Sequence, residues 1–287
     1  MNWILAGFLM FLCSVIQYLL VRKSVLLKIP SQFTNLAMFF IPVVMFGVTA
    51  VSLGTDLTVS WYELLVLAVM AFFFSYLGNI FSLKSIEVAP NPGYSLVLSK
   101  SYVVFTTIIA IPLFHQQLTA RAALAIAIII ISSAIIMVTG KVKPAAHVHS
   151  SWLPLAVGAF FCWGMLSVAS KYLLLIGVDV LPRLIYTMSI VTLLIAVEMR
   201  MKKMRWQSLS KTAWGVLTGI GILSAGFNYF MQEGFVTAPN IGYINAMNAS
   251  SIGMVVIGSA IFFHDEFSWR KFIGVVGVIL GLILLVV

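Results

Sequence analysis

Lys100 is the residue whose type and position most clearly suggest chemistry. It lies about seven residues inside an apolar run, between Ser99 and Ser101, at roughly 10 Å of depth by the helical rise. On insertion scales a lysine in such a place costs about 2.5–3.5 kcal/mol unless it faces a wet cavity or finds partners. A lysine can also snorkel to the interface or bond backbone carbonyls. A cavity-facing ammonium would attract a carboxylate or phosphate, so Lys100 suggests an anionic or zwitterionic solute.

Neutral polar residues gather on other apolar runs. Asn245 and Asn248 share a helix face at i, i+3, and Asn228 and Gln232 share one at i, i+4, with Asn79 on a further run. Amides in hydrocarbon often bond helix to helix as structural glue, but as a set on neighbouring helices they read as the lining of a site. Tyr76, Tyr94, Trp163, Tyr229 and Tyr243 could wall it, although each alone suits packing or an interfacial belt. The candidate substrate-binding set is Lys100, Ser99, Tyr76, Asn79, Trp163, Asn228, Gln232, Asn245 and Asn248.

Other chemistries lack their residues. No acidic side chain sits clearly in the middle of an apolar run, and the first run offers only Gln17, which disfavours a carboxylate-driven cation exporter. Neither a His-Glu-x-x-His helix nor paired intramembrane carboxylates occur, so an intramembrane enzyme is not expected. Cys13 and Cys162 both lie inside apolar runs and suggest neither a disulfide framework nor a zinc site. His115 and His264 fall in turns at opposite membrane faces and cannot share a metal. No catalytic residue, metal or cofactor is expected.

The elements that must position these residues are set by composition. Of 287 residues, 62% are apolar and 9% charged, against roughly a quarter charged in a soluble domain. The apolar runs are each about as long as a helix needs to cross the hydrocarbon. Ten candidate spans follow, roughly Trp3–Val21, Phe33–Leu53, Trp61–Leu83, Gly93–Phe114, Ala120–Val138, Leu153–Leu175, Leu181–Val197, Ala213–Met231, Ile241–Phe263 and Phe272–Val287. The breaks carry turn chemistry at 28–31, 54–56, 89–93 and 178–182. The fold class is an all-α polytopic membrane protein. The first span has no basic leader and no small-residue cleavage site, so it reads as a retained helix. The net charge of +9 sits beside the spans and reports topology, not nucleic-acid binding.

The spans divide five and five about a linker at 141–151, giving halves 1–140 and 152–287. Sliding the sequence by 149 residues places Trp3 on Trp152, Cys13 on Cys162, Asn79 on Asn228, Gly93-Tyr94 on Gly242-Tyr243, His115 on His264 and Arg121 on Arg270. The chain is a tandem duplication. An odd number of spans per half inverts the second repeat, and inverted repeats are the architecture of many alternating-access carriers. Lys100 falls on Ala249, so its charge breaks the internal symmetry.

Several residues carry a resemblance as well. Trp163-Gly164 followed by Lys171 in the sixth span, and Phe105-Thr106 before the turn His115-Gln116-Gln117-Leu118-Thr119, resemble the EamA-type members of the drug/metabolite transporter superfamily. The resemblance implies transport of a small metabolite through a cavity lined by spans 1–4 and 6–9, with spans 5 and 10 peripheral. It also implies a Gly-Glu turn after the fourth and ninth spans, where this chain has His115-Gln116 and His264-Asp265. A role for that glutamate therefore does not carry over to the first half.

Sorting the basic residues orients the chain. The breaks after odd-numbered spans hold Arg22, Lys23, Lys28, Lys84, Lys141, Lys143, Arg200, Lys202, Lys203, Arg205, Lys211, Arg270 and Lys271, against Arg121, Lys171 and Arg183 on the other side. The positive-inside rule then leaves both termini outside the cytoplasm, whereas the resemblance implies both inside. The compact form suits a prokaryotic inner membrane. The expected partners are a small-molecule substrate and the lipid bilayer. Gly215/Gly219 and Gly277/Gly281 fit close packing inside a monomer as well as a homodimer. The reading is a secondary transporter of a small anionic or zwitterionic metabolite; the alternative is a flippase of a lipid or lipid-linked metabolite, whose phosphate would suit the same cationic residue.

Overall fold

A computed structural model of the chain describes residues 1–89, 92–138, 151–204, 209–265 and 267–287, excluding the side chains of Glu87 and Pro92. Residues 141–150 of the linker expected at 141–151 and the centre of the turn at 89–93 lie outside the described residues.

Every regular element among the described residues is helical. The first half comprises α1 (Trp3–Leu26), α2 (Ser31–Leu53), a third span, a fourth span and α7 (Ala120–Met137). The third span runs through α3 (Trp61–Val69), a π-helical segment (Met70–Tyr76) and α4 (Leu77–Val88), and the fourth through α5 (Pro92–Lys100) and α6 (Tyr102–Phe114). The second half comprises α8 (Trp152–Leu175), α9 (Val180–Met201), α10 (Lys211–Thr237), α11 (Ile241–Phe263) and α12 (Trp269–Val286).

Local chemistry fixes the helix ends. Ser60 and Glu63 form a reciprocal capping box at α3, and Thr119, Ser210, Asn240 and Ser268 each accept from a first-turn backbone N–H. His115 and His264, mates in the two repeats, end α6 and α11 with φ of 51° and 56°. They take the left-handed position that glycine usually fills.

Among the described residues, nine helical spans are long and apolar enough to cross a membrane. α10 is not among them, although its 27 residues suffice in length, because Gly215, Gly219, Gly221, Ser224, Gly226, Asn228 and Gln232 dilute its apolar content. It packs between α1 and α2 as a bundle helix nonetheless. Trp61 and Trp269, 80% and 72% exposed, begin their helices at the interface, where amphipathic rings belong.

Packing follows the duplication. α1 lies on α10, and its mate α8 lies on α4; α2 lies on α9 and α7 on α12, each joining a span to its own mate. Cys13 of α1 abuts Gly226, and Cys162 of α8 abuts Gly78, since a methyl on either glycine would stand 2.8 Å from the Cys13 Sγ or 2.7 Å from the Cys162 Cβ. The α7–α12 seam is also close: a methyl on Gly274 or Gly281 would stand 2.5 Å from Ile136 or 2.7 Å from Ile129, and one on Gly277 would collide with Ser132 Oγ. Gly277 and Gly281 are thus used inside the molecule. Gly219 abuts Leu20 of α1, whereas Gly215 meets nothing within 4 Å.

Candidate functional site

The site begins where the fourth span breaks. At Ser101 the backbone tightens: Ser101 N–H donates to Val97 O at 3.0 Å and Leu98 O at 3.2 Å, while its hydroxyl donates to Val97 O at 2.8 Å. α5 ends at Lys100 and α6 begins at Tyr102, whereas the mated α11 runs unbroken. Interrupted spans often mark functional positions in transporters, and here the interruption falls on the intramembrane cation.

Lys100 is partly buried, with the Tyr18 side chain of α1 and Tyr102 close enough to interact with its charge. Among the described residues no carboxylate pairs with it: the ion pairs join Arg22 to Asp265 at 2.8 Å and Lys202 to Glu198 at 2.5 Å. A small void of about 10 Å³ adjoins it, lined also by Val97, Ser101, Ser133, Met137 and Ala249. That is room for about one water.

A polar seam extends from this point along α11. Asn248, 7% exposed, donates to the Tyr102 hydroxyl at 3.4 Å, and its Oδ1 is buried with no partner. One turn earlier Asn245, fully buried, donates to Thr106 Oγ1 of α6 at 3.0 Å and to Ser167 Oγ of α8 at 3.2 Å. On the other side Ser14 donates to Ser251 at 3.0 Å. The seam therefore joins α1, α6, α8 and α11 along about two turns of α11, with Lys100 as its single cation among these residues.

The remaining expected residues divide. Ser99 is buried and donates to Leu96 O at 3.2 Å, so its hydroxyl serves its own helix. Asn228 likewise turns to its own helix, donating to Ser224 O at 2.8 Å, and Ser224 ties α10 to α2 through Met38 O at 2.8 Å. Tyr76 closes the π segment and donates to Glu198 of α9 at 3.0 Å. Asn79 and Trp163 are partly buried, Trp163 against the apolar core around α6 and α11. Gln232 sits in a different cluster, accepting from Arg183 Nη1 at 2.9 Å. The structure thus brings Lys100, Asn245 and Asn248 into one seam and places Tyr76 and Gln232 in other polar contacts.

Arg183 and Lys171 were missed as site residues because they were counted with the loop charges. Arg183 is 2% exposed and Lys171 8% exposed. Arg183 follows Pro182 in the first turn of α9, which reads as a helix start at the interface. Its burial depends on how α8 and α10 close over that start, which no local pattern encodes. Lys171 lay in the sixth span and could have been flagged by the same reasoning that flagged Lys100.

Residues 150–287 match the model of the EamA-like transporter family. A crystal structure of a protein superposes with a TM-score of 0.78 over 99% of this chain and 97% of its own, at 12% identity, so the two are similar in fold. No curated protein matches the chain.

Proposed function

We propose that this chain, which belongs to the EamA-like transporter family over residues 150–287, carries a small anionic or zwitterionic metabolite across the membrane by alternating access. The observation that carries the reading is Lys100: an intramembrane ammonium at a helix break, beside Tyr18 and Tyr102 and with no carboxylate pairing with it among the described residues. A solute carboxylate or phosphate would supply the missing counter-charge through a charge-assisted hydrogen bond. Asn248, whose Oδ1 lacks a partner, would accept from an ammonium or hydroxyl on the same solute. Asn245, Thr106 and Ser167 hold α6, α8 and α11 around that point.

The repeats 1–140 and 152–287 would exchange conformations, each repeat taking up the other's packing as the site changes sides. The basic end, bearing Arg22, Lys23, Lys28, Arg200, Lys202 and Lys203, would face the cytoplasm, leaving both termini outside. Labelling of single cysteines placed at Thr55 and Lys203 by an impermeant thiol reagent checks the orientation; Lys203 labelling from outside in intact cells contradicts it.

The test of the site is thermal stabilisation of the purified protein across a metabolite panel, run beside Lys100→Ala. Stabilisation by anionic or zwitterionic compounds that is lost in the variant supports the reading and names the substrate class. The absence of any anionic or zwitterionic compound whose stabilisation is weaker in the variant, or hits confined to lipophilic cations, removes Lys100 from the site and ends the anion reading.

A further inference from the structure

At the end of the bundle away from most of the basic residues, two cations are buried side by side with only neutral hydrogen-bond acceptors. Arg183 of α9 donates through Nη1 to Ser170 O at 2.6 Å and Gln232 Oε1 at 2.9 Å, and through Nε to Asp179 O at 3.3 Å. Its Nη2 is buried and has no partner. Lys171 of α8 donates to Phe235 O, in the last turn of α10, at 2.6 Å, and lies close enough to Arg183 for the two charges to interact. Asp179 and Glu233 act on Arg183 through space, yet neither forms an ion pair with it. One turn along α9 the Thr187 hydroxyl is also buried without a partner.

Part of this arrangement is ordinary helix capping. Lys171 satisfies a carbonyl at the α10 C-terminus, where a cation is favourable. Capping leaves the orphaned Nη2 unexplained, and it leaves two like charges together in a poorly solvated place. Buried charges are normally paired, and an unmet guanidinium donor is costly. A planar guanidinium is also the group best matched to an oxyanion.

We propose that α8, α9 and α10 form a second anion site, in which Arg183 Nη2 and the Lys171 ammonium hold a carboxylate or phosphate group. Gln232 and Ser170 orient the guanidinium for it, Gln232 accepting from Nη1 while its own amide donates to Ser170 Oγ at 3.4 Å. The site lies on helices other than those that present Lys100, and its occupancy does not require that Lys100 bind anything. Because Arg183 is 2% exposed, the anion enters only when α9 and α10 separate at this end. The oxyanion is the shared chemistry of a free solute and of an anionic lipid headgroup.

The test is thermal unfolding of the purified full chain in a neutral maltoside, at constant ionic strength held with chloride. Inorganic phosphate and succinate are the free probes, and dioleoylphosphatidylglycerol added to delipidated protein is the lipid probe. At least one of the three raises Tm saturably, by on the order of 5 °C when present at about 100 times its Kd. The rise persists in Lys100→Ala and disappears in Arg183→Gln. Gln232→Glu, which brings an internal carboxylate to Arg183, raises Tm without added anion and abolishes the response, so the test survives if Arg183→Gln does not fold. A response to phosphate or succinate assigns the site to a free solute, and a response to the lipid alone assigns it to a headgroup. No response of the wild-type protein to any probe, or an equal response in Arg183→Gln or Gln232→Glu, overturns the proposal. Loss of the response in Lys100→Ala alone also overturns it, by placing the anion at Lys100.

Discussion

Gly242 opens α11 at its contact with α6, and Gly242→Ala measures how tightly that contact is shut. A methyl there would collide with Thr107 Oγ1 and stand 2.7 Å from Thr107 Cβ and 2.8 Å from its Cα. The hydroxyl is pinned by donation to Val103 O at 2.7 Å, and Thr107 O accepts from Asn240 Nδ2 at 3.2 Å. Backbone atoms cannot rotate away, so the two helices must part. Overpacking of a filled core costs about 1–3 kcal/mol, and the obstruction by Cα puts this case at the upper end. Thermal unfolding in detergent should show a fall of roughly 5–10 °C for about 2.5 kcal/mol in a chain of this size. Thr107→Ala removes Oγ1 but leaves Cβ and Cα in place, so it recovers only a minor part, a coupling of about 0.5–1 kcal/mol in the double-mutant cycle. Gly47→Ala is the control, since a methyl there, inside α2, meets nothing within 4 Å and should raise stability by about 0.5–1 kcal/mol through helix propensity alone. A Gly242→Ala protein that melts with the wild type would refute the packing of α6 on α11.

Three further outcomes follow from contacts elsewhere. Arg22 and Asp265 pair across the halves with side chains 41% and 34% exposed, so Asp265→Asn should cost less than about 1 kcal/mol in chemical denaturation, and the exchanged pair Arg22→Asp/Asp265→Arg should restore it; a loss of several kcal/mol would contradict a solvent-screened pair. Gly277→Leu drives a side chain into Ser132 across the α7–α12 seam and should lower stability by about 1–3 kcal/mol while leaving the mass by light scattering unchanged; a change of oligomeric state would mean that the glycine serves an outside contact. Asn245→Leu strips the amide bonded to Thr106 and Ser167 and should destabilise by about 1–3 kcal/mol, read by thermal unfolding; no loss would mean the seam does not hold its helices.

The spans were legible because hydrocarbon demands long apolar helices, and the duplication was legible because paired residues such as Cys13/Cys162 and Gly93/Gly242 kept one offset. Lys100 was legible because a charge inside an apolar run is anomalous by itself. The break at Ser101 was not, since serine is tolerated in a helix and its hydroxyl bond to Val97 O, made beside its own N–H, is one that unbroken helices also hold. The π segment at Met70–Tyr76 is likewise invisible in an apolar, aromatic run. Asn228 and Gln232 share a helix face, yet the first bonds its own helix and the second bonds Arg183. Periodicity gives the face, and only packing gives the partner. Arg183 was hidden for that reason too, as a residue beside a proline turn becomes buried through helices far away in sequence.

The central claim is that the Lys100 charge handles the transported solute, and counterflow in proteoliposomes tests it most directly. The vesicles would be loaded with the compound that best stabilises the protein. Loss of a charge-assisted hydrogen bond worth about 1.5–3 kcal/mol predicts that Lys100→Gln exchanges that compound about 10- to 100-fold less efficiently at subsaturating concentration. Lys100→Arg, which keeps the charge, retains most of the exchange. Wild-type counterflow in Lys100→Gln, with the protein folded and correctly inserted, would contradict the account.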